Sequence, residues 1–257
     1  MKIIFTFDDG KKSQIAFWNK VQVPGTYFIL PEATELKTNY GENANVDVCT
    51  WGEVRLLAKY NEIGFHGYSS RYETWGPERT EMSIQKCLQI FEFEIGKNPV
   101  SFSYTNMRMF QPAIINKHFL YIRDYFWRDI KKREKEKNEE GVRIENDEYI
   151  LRWPGKEISE KIKPWQKKIF CMHPSLEPIH MLKRIKRTKE WGYEYCVLIF
   201  HEITEKEIFL GQMIGATYDC ITFREIFEGG GHSDTEHSNL NKVAVAGSTP
   251  AVSTEKK

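Results

Sequence analysis

The sequence predicts an α/β fold built on a mainly parallel sheet. Short apolar runs rich in β-branched and aromatic residues alternate with segments whose apolar residues recur at helical spacing, which is the rhythm of successive β-α units. Several of these runs end abruptly in Asp, His or Gly, the first being Ile3–Phe7 before Asp8. This pattern fits both an open sheet and a sheet closed into a barrel.

The elements follow in chain order. Strands are predicted at Ile3–Phe7, Gly25–Leu30, Ile63–His66, Pro99–Tyr104, Tyr121–Trp127, Ile169–His173, Tyr195–His201 and, leading into a last helix, Ile221–Phe227. Helices are predicted at Trp51–Asn61 (with Thr50 as N-cap), Glu81–Ile95 and Pro178–Trp191. The stretch Arg128–Glu148 mixes both charge signs densely, which indicates a solvated helix or excursion.

Composition narrows the class of protein. The 257 residues are 40% hydrophobic and 28% charged, as in ordinary globular proteins, and the net charge is only +1. So small a charge provides no long-range field for nucleic acid, and a role for the basic Lys183–Lys189 stretch in binding it is the weakest hypothesis. The five cysteines form no C-x-x-C pair, which argues against structural zinc and a disulfide framework.

The two ends of the chain indicate its location and the extent of its domain. No secretory signal or membrane span is recognisable, so we expect no membrane span and a cytoplasmic location. From Gly229 onward large apolar residues are scarce, which predicts a disordered tail over residues 229–257 behind one domain over residues 1–228.

Polar side chains at strand ends mark the predicted site. In parallel α/β folds such residues point into the site, and Asp8, Asp9, His66, His173 and His201 all occupy such positions. Adjacent carboxylates can divide the roles of metal ligand and proton acceptor, and a histidine titrates near neutral pH. The set predicts metal-assisted hydrolysis.

In order along the chain, these residues resemble the polysaccharide deacetylases with a NodB homology domain (carbohydrate esterase family 4). The similar segments are Phe5–Gly10 (FTFDDG), Trp51–Ala58, Asn61–Ser70 (NEIGFHGYSS), Met82–Gly96, Pro99–Tyr104 (PVSFSY), Val197–His201 and Ile221–Glu225. They span about residues 1–228. The first motif together with residues 51–104 carries the resemblance, and no single segment would.

The resemblance implies a distorted (β/α) barrel of about seven parallel strands and one divalent, zinc-like metal. It makes Asp8 the general base, Asp9 and His66 metal ligands, and His201 or His173 the acid that protonates the leaving amine. For Phe102, Tyr104 and Ser70 it implies contact with an N-acetylated carbohydrate substrate.

The chain also departs from the family pattern. Ser70 stands where the resemblance places a third metal ligand, a His, and a hydroxyl is a weaker ligand for zinc-like metals than imidazole. Thr105 and Met107 replace a Pro and a Gly, and Ser103 occupies a position where many members carry Arg. Two functions stay open: a deacetylase that recruits another ligand, such as His173 or water, and an inactive relative that binds carbohydrate.

Overall fold

We describe residues 1–67, 75–105, 111–125, 149–152, 169–172 and 178–228 of a computed structural model. The strands are β1 (Lys2–Phe7), β2 (Gly25–Ile29), β3 (Glu62–Phe65), β4 (Ser101–Ser103), β5 (Tyr121–Tyr125), β6 (Tyr149–Arg152), β7 (Ile169–Met172), β8 (Tyr195–Phe200) and β9 (Cys220–Ile221). The helices are α1 (Ser13–Val21), α2 (Pro31–Tyr40), a 3₁₀ turn at Gly41–Ala44, α3 (Trp51–Leu57), α4 (Pro77–Ile95), α5 (Pro112–His118), α6 (Pro178–Glu190), α7 (Glu205–Gly215) and α8 (Glu225–Glu228).

In the described part of the chain, all nine strands belong to one sheet. Its order is β6-β5-β4-β3-β2-β1-β8-β7, and the short β9 pairs with β1. Every pairing is parallel except β5 with β6. Seven parallel strands therefore follow one another along the curled sheet, which confirms the prediction of a distorted barrel.

The alternation of side chains along the strands separates two layers. On β1, Phe5 and Phe7 belong to the main hydrophobic cluster, which also contains Phe17 of α1, Trp51 of α3 and Phe91 of α4. The residues between them face the other way, because successive side chains in a strand point to opposite sides. The helices thus cover the outer face of the sheet.

The inner face is narrow and partly polar. Its apolar cluster contains Ile4, Phe28 and Ile199 from the strands and is closed by Phe223 and Ile226 near the end of the described chain. Buried polar side chains share this side of the strands; they are Thr6, Asp8, Thr26, His66, Ser101, Ser103 and Arg123. The sheet therefore encloses a polar interior that opens at the carboxyl ends of the strands.

Most element boundaries agree with the sequence to within a few residues. The prediction of a last strand over Ile221–Phe227 is too long, because β9 ends at Ile221 and α8 begins at Glu225. Helix α3 begins after Thr50, whose hydroxyl and Glu53 form a reciprocal capping box, as the N-cap prediction requires. The helix ends at Leu57, four residues before the predicted Asn61. The Asn61 amide donates to the Leu57 carbonyl at 3.1 Å and accepts from the Gly25 amide at 3.1 Å, so this residue ties the helix end to β2.

Several elements had no counterpart among the predictions: α1, α2, α5, α7 and the antiparallel β6. Helix α7 carries a readable signal, a second capping box between Thr204 and Glu207. Among the described helices, none is long and apolar enough to cross a bilayer. The charged stretch 128–148 and the tail 229–257 lie outside the described residues, so both statements about them stay predictions.

Candidate active site

The turn after β1 presents two carboxylates with different surroundings. Asp9 has a φ of 67° and Gly10 a φ of 60°, so both adopt the left-handed conformation. Aspartate tolerates this conformation better than most residues. A Cβ at Gly10 would lie 2.9 Å from Ile29 Cδ1, the far end of that side chain, so the positive φ is the main reason that this position favours glycine. Both neighbouring residues, Asp8 and Asp9, present their carboxylates on the side of the turn that faces His66.

Gln14 of α1 fastens this turn to the end of β8. Its side-chain amide donates to the Asp8 carbonyl at 2.6 Å and to the His201 carbonyl at 2.9 Å. The Asp8 backbone amide also donates to the Phe200 carbonyl at 2.8 Å. Both partners of the Gln14 amide are carbonyls, so the nitrogen must face them. The strand ends that carry Asp8 and His201 are thereby held side by side.

His66, at the end of β3, is oriented by the neighbouring strand. Its Nδ1 lies 3.0 Å from the Ser103 carbonyl, and because a carbonyl only accepts, Nδ1 carries a proton and donates. Nε2 then faces the carboxylates, 3.4 Å from Asp9 Oδ1 and 3.9 Å from Asp8 Oδ2. This is the orientation in which a second interaction fixes the ring of a metal-binding histidine.

His201 completes the group from the end of β8. Its Nε2 lies 3.7 Å from Asp8 Oδ2, and its side chain is 37% exposed, against 6% for that of Asp8. His201 therefore lies where a molecule entering from solvent meets the buried carboxylate. The structure brings together four of the residues singled out in the sequence: Asp8, Asp9, His66 and His201.

One member of the site was missed in the sequence. Arg123 of β5 is buried, and its Nη2 donates to both carboxylate oxygens of Asp8 and, at 2.6 Å, to Ser103 Oγ. Its guanidinium carbon also lies 4.8 Å from the centre of the Phe28 ring. The available signal was a single basic residue in the predicted strand Tyr121–Trp127, where period-two spacing sets it on the same face as Tyr121.

The remaining predicted residues are distributed as follows. Phe102 is fully buried on the outer side of β4, within ring-packing distance of Phe65 and Phe119. Tyr104 is 6% exposed and packs edge-on against Phe102 at 5.0 Å between ring centres. A contact with substrate stays a prediction for both, and burial favours it for neither. Ser70, His173 and Met107 lie outside the described residues.

Charge coupling shifts the pKa of both groups of the Asp9–His66 pair. Burial pushes the pKa of Asp9 upward, but the hydrogen bond and charge of His66 outweigh it, so the pKa lies below its ordinary value. Burial lowers the pKa of His66, but the charge of Asp8 and the hydrogen bond to Asp9 outweigh that effect and raise it. In the metal-free pair, each group therefore favours the charged form of the other.

The donor set suits a divalent metal in part. Asp9 Oδ1 and His66 Nε2 converge, whereas Asp8 is engaged by Arg123. A carboxylate and an imidazole are both ligands of zinc-like ions. Within the described ranges, no group of three His, Cys, Asp or Glu side chains is placed to hold a metal ion. Two ligands are thus present, and Ser70 and His173 lie outside those ranges.

Solved structures show which fold this is. The chain is similar to the peptidoglycan N-acetylglucosamine deacetylase Bc1960 at 14% identity and a TM-score of 0.52, covering 88% of each chain. It is also similar to the Xyl-CE4 domain of a multidomain xylanase from the hindgut metagenome of Trinervitermes trinervoides, at 12% identity and 0.50, covering 90% of this chain and 92% of that one. The chain has the CE4 deacetylase fold.

The same fold also houses an inactive protein. A CE4 family pseudoenzyme from Bacillus anthracis matches at 11% identity and a TM-score of 0.50, over 88% of this chain and 64% of that one. No protein-family model and no curated protein sequence matches the chain. Identities this low establish the CE4 fold alone, so an activity must be argued from the site.

Proposed function

We propose that the chain is a divergent, metal-dependent deacetylase that hydrolyses N-acetyl groups of a carbohydrate. The observation that carries this proposal is the convergence of Asp8, Asp9, His66 and His201 at the carboxyl edge of the sheet. The CE4 fold and the activity named for the Bc1960 relative support it. The substrate class comes from this likeness and from the resemblance in motifs.

Asp9 and His66 would hold the metal, with a third ligand from a water or from His173. When bound, a divalent metal polarises the acetyl carbonyl and lowers the pKa of an attacking water. Asp8 is not needed as a ligand, because Arg123 already engages both of its oxygens. The two neighbouring carboxylates thereby receive different roles.

The remaining steps belong to the protein's own side chains. Asp8 accepts the proton of the attacking water while the water oxygen bonds to the acetyl carbon. The carbon–nitrogen bond then breaks, acetate leaves, and the amine takes a proton from His201. His201 suits this step because its side chain is partly exposed and its Nε2 lies 3.7 Å from Asp8 Oδ2. The proton that Asp8 accepts can therefore pass on to His201. His173 stays the alternative acid.

Acetate release tests this function. The purified protein with added zinc, with and without chelator, is assayed on N-acetylated chito-oligosaccharides. Loss of a general base lowers turnover by about 10²–10⁴-fold, so Asp8→Asn should do so while zinc stays bound. Asp219→Asn, an exposed change just before β9, is the matched control and should leave turnover unchanged. Wild-type protein that binds zinc but releases no acetate contradicts the proposal.

A second candidate function is metal-independent carbohydrate binding without catalysis. Ser70 in place of a ligand histidine favours it, as does the pseudoenzyme of the same fold. Titration calorimetry with the same oligosaccharides in chelator separates the two functions. Binding that persists without metal, together with no acetate release, supports the second candidate. Turnover that strictly requires metal rules it out.

A further inference from the structure

Arg123 is a buried cation whose polar contacts with the described residues lie within the barrel. Its side chain is 3% exposed, Nη2 donates to Asp8 and Ser103, and Nη1 donates to the hydroxyl of Thr6. That hydroxyl in turn donates to the Leu198 carbonyl at 2.9 Å, on the strand that leads to His201. A buried guanidinium is tolerated only when it is paired and well hydrogen-bonded, so these contacts fix its position closely.

The guanidinium distinguishes the two carboxylates. Arg123 donates to both carboxylate oxygens of Asp8, whereas Asp9 lies closer than Asp8 to the imidazole of His66. A bound cation at Asp8 competes with a metal for the same lone pairs. Arg123 therefore directs a metal toward Asp9 and His66, and it holds the other carboxylate still beside them.

Ser103 and Arg123 are neighbours across one rung of the sheet. The register of β4 and β5 pairs these two residues directly, and both side chains enter the interior. Parallel strands lie about 4.8 Å apart, so a long side chain from either position reaches the same space. The backbone of this rung also holds the other half of the site, because the Ser103 carbonyl accepts from His66 Nδ1.

We propose that Arg123 is the positioning residue for Asp8 in catalysis, and that the site needs one guanidinium at the Ser103–Arg123 rung, from either strand. The inference rests on the proposed function, since it assigns Asp8 to proton transfer. Without the guanidinium, Asp8 gains freedom to rotate toward the metal ligands. Metal binding then persists while the base leaves its working position.

The first experiment compares Arg123→Met with wild type in the zinc-loaded protein. Arg55→Met is the matched control, since it removes an exposed guanidinium paired with Glu94 on the outer helices. We expect Arg123→Met to lower kcat about 100-fold, with KM changed less than threefold and zinc stoichiometry unchanged, and Arg55→Met to match wild type. A kcat within threefold of wild type, or a loss that follows zinc occupancy alone, overturns the proposal.

The second experiment is a transposition. Arg123→Ser should lose turnover as Arg123→Met does, and Arg123→Ser combined with Ser103→Arg should regain at least tenfold in kcat. If this double variant is folded and zinc-loaded but its kcat does not exceed that of Arg123→Ser, the claim that a guanidinium from either strand suffices is overturned. Recovery would also exclude a general folding defect as the cause of the loss in Arg123→Ser. The double variant restores the guanidinium but leaves serine at position 123.

A third measurement separates this inference from the proposed function. Urea midpoints are compared, all without metal, for Asp8→Asn, for Arg123→Met and for the variant that carries both of these changes. Relative to wild type, we expect the midpoint of Asp8→Asn combined with Arg123→Met to fall by clearly less than the sum of the two single shifts. The reason is that each single variant leaves a buried group unpaired. Strict additivity overturns the pairing. If wild type releases no acetate, the proposed function fails, and this cycle still decides whether Arg123 positions Asp8.

Discussion

Replacing Gln14 with methionine tests how far two strand ends depend on one side chain. Methionine is similar in length and apolar, so Gln14→Met keeps the packing of α1 against the strand ends while removing both hydrogen bonds to the Asp8 and His201 carbonyls. Leaving a buried acceptor unsatisfied costs about 1–3 kcal/mol. Two lost donors therefore cost about 2–6 kcal/mol by the same principle.

One term offsets this loss. The Gln14 side-chain oxygen is buried and finds no hydrogen-bond partner among the described residues, so removing it regains about 1–3 kcal/mol. The net loss of unfolding free energy is then about 1–3 kcal/mol by that reasoning. For a domain of this size it lowers the melting temperature by about 2–12 °C.

Urea unfolding monitored by tryptophan fluorescence measures this loss, and acetate release measures its consequence. We expect turnover to fall by about tenfold, since a displacement of catalytic groups by a fraction of an ångström is costly. Gln85→Met, on the exposed face of α4, is the matched control and should change neither quantity. A Gln14→Met protein as stable and active as wild type would refute the reasoning that this amide holds the two strand ends together.

Two further predictions concern the charge pair and the inner packing. In the metal-free protein, the contribution of His66 to stability should be present below its ordinary pKa of 6.5 and be lost as pH rises through the raised value, because burial is outweighed by nearby carboxylates. The contribution of Asp9 should be present above 3.8 and be lost as pH falls. Unfolding free energy measured against pH should therefore decline on both sides of this window, and His66→Gln should flatten both declines; an unchanged profile contradicts the pairing. Gly64→Ala should cost about 1–3 kcal/mol, because its Cβ would lie 2.5 Å from the Phe28 ring. Since that ring packs against Arg123, the melting temperature measured by calorimetry and the turnover should fall together. An Ala variant with wild-type values for both would show that the ring moves aside freely.

The strand ends were predictable from the sequence for a local reason. A short apolar run followed by Asp or His sets the polar residue at the edge of a parallel sheet, where sites form. Asp8, Asp9, His66 and His201 were found in this way, and the structure brings all four within one cluster. Whether His201 or His173 is the acid stays open, because His173 lies outside the described residues.

Phe102 illustrates what the sequence of a single short strand leaves open. The resemblance implied a substrate contact for Phe102, which stays a prediction. Alternation along β4 turns Phe102 to the helix layer and Ser103 to the interior. The register of a three-residue strand is not fixed by its own sequence. It is fixed by pairing with β3 and β5 and by the volume that Phe65 and Phe119 leave between the sheet and α5.

The sequence by itself determined the repeating β-α order, the residues at the ends of the strands and the capped start of α3. All of these depend on side chains a few positions apart. Only the tertiary structure decided that Arg123, far along the chain, lies against Asp8 and opposite Ser103. The reason is that a buried charge selects its partner by distance and desolvation, which exist only once seven strands have curled around a common interior.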